Sequence, residues 1–244
     1  MLTVCTFKWF DPHYRWNDNV IYGAEHVNKL YRGVKRNLDL DHEFVCVTDN
    51  AEGLDPAIRV VPIWDDYAEM GGCYRRLKAF SSEMRDVLGP RFVWMDLDAV
   101  VLGDLTPLFS RDEPLILWRN GVGYAPYCGS MVMLDAGYGE RIWTDFTPEA
   151  ARVSKKATGY VGTDQAWIGA VAGDKQPVWT RRDGVLSYHH VPKARCPQGV
   201  ARRRYGLDPG TLPDNARVAF FHGPLDPSMP RVQEDYPWVK ENWV

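Results

Sequence analysis

The stretch from Phe92 to Leu102 constrains the chain more than any other. Phe92-Val93-Trp94-Met95 runs into Asp96 and Asp98, two residues apart, and Ala99-Val100-Val101-Leu102 follows. A short apolar run with Gly89-Pro90 just ahead of it predicts a buried strand rather than a helix. Two carboxylates in such surroundings are costly unless they meet cations or a metal ion. The carboxyl end of a buried parallel strand opens into the crevice where open α/β sheets bind ligands. Asp96 and Asp98 are expected there, able to hold one divalent cation through oxygen. The plainer alternative is a strand ending in a polar turn whose acids cap the next segment. The apolar flanks on both sides weigh against it.

A chain of 244 residues fits one α/β domain, or at most two small ones. Its 45% hydrophobic content permits a sizeable core. A net charge of -3 speaks against a general nucleic-acid binder, which would carry a basic surplus. Ten Trp and twelve Tyr suit either core packing or flat surfaces for sugars and bases. The five cysteines, at 5, 46, 73, 128 and 196, contain no C-x-x-C pair, so neither a zinc site nor a disulfide framework is predicted. Cys5 and Cys46 fall inside strand-like runs as small core residues. Reduced thiols, an N-terminal stretch without a signal-peptide core and no run of membrane-spanning length predict a cytoplasmic location. A peripheral membrane contact stays open.

In chain order, Leu2 to Phe7 reads as a strand, and Val20 to Asn37 places Ile21, Ala24, Val27, Leu30, Tyr31 and Val34 at helical spacing. Phe44 to Thr48 is a second strand. Ile58 to Ile63 is a third, with Pro62 restricting it to an end or an edge. Tyr74 to Leu88 predicts one helix, stopped by Gly89-Pro90. This alternation implies a mostly parallel, three-layer sheet over roughly the first hundred residues.

The second half is less regular. Leu115 to Trp118, Ser130 to Leu134, Val178 to Trp179 and Val185 to Ser187 are expected strands. Gly137 to Phe146 and Gly162 to Val171 are expected helices, the latter with Thr163 or Asp164 as a cap. Pro192 to Asn215, with Lys193, Arg195, Arg202, Arg203 and Arg204, reads as a long basic loop, either solvated or a lid. Val218 to Phe221 then ends on His222, repeating the pattern of an apolar strand followed by a metal-capable side chain. Asp96, Asp98 and His222 together form an oxygen and nitrogen set that Mn²⁺ tolerates better than Mg²⁺. A lone histidine after a strand is more often structural, so His222 gains weight only in that combination.

Five pieces occur in one order: Tyr74-Arg75-Arg76-Leu77, Met95-Asp96-Leu97-Asp98, Tyr127-Cys128-Gly129-Ser130-Met131, Gly162-Thr163-Asp164-Gln165 and Phe221-His222-Gly223. That order, across roughly residues 2 to 227, resembles family 8 of the GT-A glycosyltransferases. The resemblance implies a single GT-A-type α/β domain over 1–244. Its nucleotide-binding half would be 1–101, its donor-sugar and acceptor half 102–227, and its tail 228–244. It implies transfer of a hexose from a nucleotide sugar, UDP preferred, to a carbohydrate or other glycan acceptor with retention of configuration. Asp96, Asp98 and His222 would bind Mn²⁺, or Mg²⁺, on the donor diphosphate. Thr6, Lys8, Asp49, Arg76, Asp96 and Leu97 would contact the donor, with Asp49 at its base or ribose. Asp164 and Gln165 would lie against the sugar near the anomeric carbon, Gln165 assisting on the departing face.

This chain departs from the family pattern in places. Cys128 stands where the strand usually has Asn, and Asp226 precedes Pro227 where Lys is common. Lys8-Trp9 stand where an acid is frequent, and His222-Gly223 is tighter than the usual H-x-x-G. Lys8, Lys78 or Arg202 would then have to replace the missing grip on the diphosphate. Two other readings remain. Asp96-Leu97-Asp98 fits the first motif of haloacid-dehalogenase-type phosphohydrolases, with Asp96 as nucleophile, although that motif normally opens its domain. A nucleotide-sugar binding protein without turnover would also accommodate Cys128 and Asp226.

Overall fold

The computed structural model describes residues 1–11, 22–121 and 125–244. The strands are β1 (Leu2–Lys8), β2 (His42–Thr48), β3 (Arg59–Pro62), β4 (Arg91–Met95), β5 (Ala99–Val101), β6 (Leu115–Trp118), β7 (Cys128–Asp135), β8 (Val178–Trp179), β9 (Val185–Ser187) and β10 (Val218–Phe220). The helices are α1 (Ala24–Asn37), α2 (Met84–Leu88), α3 (Thr106–Phe109), α4 (Arg141–Thr144), α5 (Pro148–Thr158), α6 (Asp164–Ala172), α7 (Gln198–Tyr205), α8 (Pro230–Asp235) and α9 (Trp238–Asn242). A 3₁₀ helix, Tyr74–Phe80, precedes α2.

The main sheet has the order β3-β2-β1-β4-β7-β6-β8. The first four strands run parallel, and β7 and β6 reverse direction in turn. β1 is buried along its whole length because β2 and β4 flank it and helices cover both faces, which suits its unbroken apolar and β-branched sequence. Alternation along β4 divides the core: Val93 and Met95 face α1, while Phe92 and Trp94 face the 3₁₀ helix and α6. β3 is an edge strand and Pro62 is its last residue, as expected. α1 buries Val27, Leu30, Tyr31 and Val34 at helical spacing. Of the four residues by which the expected helix begins before α1, Val20 and Ile21 lie outside the described residues, and Tyr22 and Gly23 are not helical.

The central strand ends at its acids, as expected, and the apolar residues beyond them join another sheet. β4 stops at Met95, residues 96–98 turn, and β5 joins a second sheet of order β5-β10-β9. The Asp96 N–H donates to the Ser130 carbonyl at 2.9 Å, and Ala99 N–H closes the turn onto the Asp96 carbonyl at 3.3 Å. The acids therefore occupy a junction between two sheets, where a side chain can leave the layers.

Other expectations also changed. Tyr74 to Leu88 is two short helices because Ser81 is extended and Ser82 is bonded to Glu140 through both N–H and hydroxyl. The tighter first piece buries Tyr74, Arg75, Arg76, Leu77, Ala79 and Phe80 in near succession. Gly137 and Gly139, both at positive φ, shorten the next expected helix to α4. The basic stretch is not all loop: it contains α7, which ends on Gly206 in the left-handed region. α5 was not anticipated, although Thr147 caps it, accepting from Ala150 N–H at 3.0 Å. Residues after 228 form α8 and α9, which bury Val232, Trp238 and Val239 against the second sheet.

Candidate functional site

The carboxyl ends of β1, β2 and β4 open into a cavity of about 750 Å³. Lys8, Asp49, Arg76, Asp96, Leu97 and Asp98 line it, and the residues leading into α1 close one side. Six of the sequence-predicted residues thus meet where parallel strands end, the usual place for a ligand in such sheets. The rim is braced by Asp49 Oδ2, which accepts from Phe10 N–H at 2.8 Å, and by Asp11 Oδ2, which accepts from Gly72 N–H at 2.6 Å.

Arg76 sits at the centre of the charged wall. Its Nε donates to Asp164 Oδ2 at 2.5 Å and its Nη1 to Asp96 Oδ1. Arg76 and Asp164 are both almost fully buried. Burial alone would weaken the guanidinium's hold on its proton, but Asp164 and Asp96 outweigh it and keep the group charged. Gly129 on β7 makes room for this pair: a Cβ there would lie 2.5 Å from Arg76 Nη2 and 2.6 Å from Asp164 Oδ2.

Asp98 has no such cation. Its side chain is buried, and Oδ1 has no hydrogen-bond partner. Burial pushes its carboxyl well above the usual range, with further lifts from Asp96 and Asp226 against the pull of Arg76. Asp226 is itself buried at 1% exposure. Its Oδ1 accepts from His26 Nε2 at 3.2 Å and from Ser228 N–H at 2.8 Å, while its Oδ2 has no partner. Gly23 N–H donates to His26 Nδ1 at 3.3 Å, which leaves the ring proton on Nε2, facing Asp226. Sequence reading noted Asp226 only as a missing lysine and passed over His26. Two buried carboxylates, each with an oxygen unused, are the hard donors that suit a divalent cation. Among the described residues no three His, Cys, Asp or Glu side chains are placed so that together they could hold a metal ion.

His222 is only partly where the sequence put it. Phe221 N–H donates to the Asp98 carbonyl at 3.0 Å, so the end of β10 lies beside the acid turn. The imidazole, however, does not line the cavity: Nε2 is 2.8 Å from Ser187 Oγ, and the ring packs on Tyr188 and His189. Burial, then His189 and His190, lowers its pKa to about 4, so the ring is neutral near pH 7, the form that binds metals.

Three more expected residues stand outside the cavity. Thr6 is fully buried, and its hydroxyl donates to the Met95 carbonyl at 2.8 Å, tying β1 to β4. Asp164 is committed to Arg76, and Gln165 donates to the Val161 carbonyl at 3.1 Å. Thr163 holds the N-cap position of α6 without capping it, because its hydroxyl accepts from Cys73 N–H at 3.2 Å. Cys128 lies 3.3 Å from Ser130 Oγ, its thiol pushed up to about 12 by burial. All five cysteines are unpaired, and among the described residues no helix is long and apolar enough to cross a membrane.

No family model matches this chain. No curated protein matches it in sequence either. Solved structures do resemble it in fold. A galactosyltransferase, LgtC, in complex with donor and acceptor sugar analogs is 14% identical, with a TM-score of 0.59 over 98% of this chain and 96% of that one. The glycosyltransferase GlyE of Streptococcus pneumoniae TIGR4 is 12% identical at a TM-score of 0.60, over the whole of this chain and 62% of its own. The bifunctional glycosyltransferase WbbM is 10% identical at 0.54, over 99% of this chain and 49% of its own. The architecture is therefore α/β of the GT-A type, with a mostly parallel central sheet flanked by helices.

Proposed function

We propose that the chain is a cation-dependent glycosyltransferase that moves a hexose from a nucleoside diphosphate sugar, UDP preferred, to a glycan acceptor with retention of configuration. The observation that carries this reading is Asp98: a buried carboxylate with an unpartnered oxygen, lining a cavity at the carboxyl ends of parallel strands. The fold it shares with glycosyltransferases supports the same reading.

In this proposal Asp96 and Asp98 would hold Mn²⁺ or Mg²⁺ through oxygen, and His222, a neutral ring whose Nε2 is bonded to Ser187, would have to turn away from that hydroxyl to join them. A divalent cation bound there supplies positive charge against the negative charge that grows on a departing diphosphate. Arg76 orients Asp96 and, anchored by Asp164, keeps its guanidinium at the cavity wall, where it can meet a phosphate oxygen. Asp49 would bond a ribose hydroxyl and Lys8 would face phosphate, both from strand ends. Leu97 gives an apolar floor, and Thr6 acts by holding β1 and β4 in register. Asp164 is thus a positioning residue, and Gln165 would reach the anomeric centre on leaving the Val161 carbonyl. In a phosphohydrolase Asp96 would be the nucleophile, and a guanidinium bonded to its Oδ1 disfavours that role.

The test follows release of UDP from UDP-hexoses with Mn²⁺ present. Gln165→Ala is expected to lower kcat by about 10²-fold, the scale of losing one polar group at the reacting centre. UDP affinity should stay within about threefold, since an interaction made only in the transition state leaves ground-state binding alone. Equal losses in turnover and UDP affinity would move Gln165 to a binding role. The absence of UDP release from every UDP-hexose would end the reading.

A further inference from the structure

A second cavity, of about 670 Å³, is lined by residues that pack on the His222 ring. Tyr188, Tyr205 and Tyr236 supply its flat walls, and Lys193, Arg195 and Arg204 supply its charge. His189 lines it as well, and both Tyr188 and His189 touch the His222 ring, at 5.1 and 5.3 Å between centroids. One residue further back, Phe221 is bonded to Asp98. The strand end Phe221–His222 therefore stands between the two cavities, touching residues of each.

The charge of this second cavity runs against that of the chain as a whole, which is -3. Among the described residues no carboxylate lines it. Asp235, behind the wall, bonds Lys193 Nζ at 2.9 Å and Arg195 Nη1 at 3.2 Å. Three cations against one acid leave a surplus of positive charge. Arg204 lies 5.3 Å from the Tyr205 ring, where it keeps its charge beside an aromatic face. The basic stretch, expected as a solvated loop or a lid, is folded into a cavity wall, partly by α7 and partly by the Ala194 N–H bond to the Asp235 carbonyl at 2.7 Å.

Aromatic faces bind the apolar faces of sugar rings, and guanidinium groups recognise carboxylate and phosphate in planar, charge-assisted bonds. We infer that this second cavity is the acceptor site, and that the acceptor is an anionic saccharide carrying a carboxylate or phosphate group. This inference rests on the glycosyltransferase reading, since it is the saccharide donor cavity next door that makes a saccharide the occupant.

The test is binding by titration calorimetry, with lactose as the neutral probe, sialyllactose as the carboxylate probe and a lactose phosphate as the phosphate probe. At least one anionic probe should bind about tenfold more tightly than lactose, the gain of one charge-assisted hydrogen bond. Whichever anion binds better names the acidic group. The paired substitution Arg195→Gln and Arg204→Gln, both on exposed side chains, should remove that preference and leave UDP affinity unchanged. Equal binding of charged and neutral probes, or a preference that survives both substitutions, would overturn the inference. So would inorganic phosphate binding as tightly as the lactose phosphate. UDP binding in the same samples separates the two claims: UDP bound without an anionic preference sinks the acceptor alone, and no UDP binding sinks the donor reading.

Discussion

Asp98→Asn is expected to stabilise the cation-free protein and at the same time remove its cation-dependent turnover. The carboxyl is buried with Oδ1 unpartnered, and no Lys or Arg among the described residues forms an ion pair with it. Its pKa is raised in the folded state by burial first, then by Asp96 and Asp226. The sign follows from linkage. As pH rises past the ordinary aspartate range, the unfolded chain releases this proton while the folded chain keeps it, so the cation-free protein loses stability. Asparagine has the same shape and carries no charge, so it avoids the cost of burying an ionised group. A gain of about 1–3 kcal/mol is expected, the cost of an unsatisfied buried group. That gain corresponds to a Tm higher by roughly 2–10 °C in chelator at pH 7.5. The gain should shrink below about pH 3, where Asp98 is protonated in both states. Turnover should fall by about 10²–10³-fold, as when one electrostatic stabiliser is lost. An unchanged or lower Tm in chelator, together with retained turnover, would remove Asp98 from the cation site.

The second large effect concerns Arg76. Arg76→Met leaves Asp164 buried at 3% exposure with no cation against it, and it frees Asp96 from its guanidinium. Removing one partner of a buried pair costs about 3–5 kcal/mol. In a chain of this size that lowers Tm by roughly 6–20 °C. Arg76→Lys should not restore it, because a single ammonium cannot reproduce the fork that spans two carboxylates. Arg76→Met combined with Asp164→Leu should recover much of the stability by removing the stranded charge, but not UDP affinity. A loss below about 1 kcal/mol for Arg76→Met, the scale of an exposed pair, would mean the bridge is incidental.

The sequence was informative where local pattern decides structure. β1, β2, β6 and β8 announce themselves as short apolar runs, and Asp96 and Asp98 follow from a strand end, whereas Lys8, Asp49 and Arg76, the last on a 3₁₀ helix, were reached only through the family resemblance. It was silent where distant partners decide. Arg76 and Asp164 are 88 positions apart, and His26 and Asp226 are 200 apart, so neither pair leaves a periodic trace. Ser82 breaks the helix over 74–88 through a bond to Glu140 that no helical count reveals. The strand into Asp96 ends where expected, but local pattern does not reveal that the apolar residues after Asp98 belong to a second sheet built by β9 and β10. α7 hid in a stretch rich in Pro, Gly and Arg, where charge masks helix propensity.

The most direct measurement of the central claim is a calorimetric titration of UDP into the protein, once with Mn²⁺ and once with excess chelator. If Asp96 and Asp98 hold a cation that meets a nucleoside diphosphate, UDP should bind at least about tenfold more tightly with Mn²⁺, a difference of about 1.4 kcal/mol. Equal affinity in the two titrations would contradict the account.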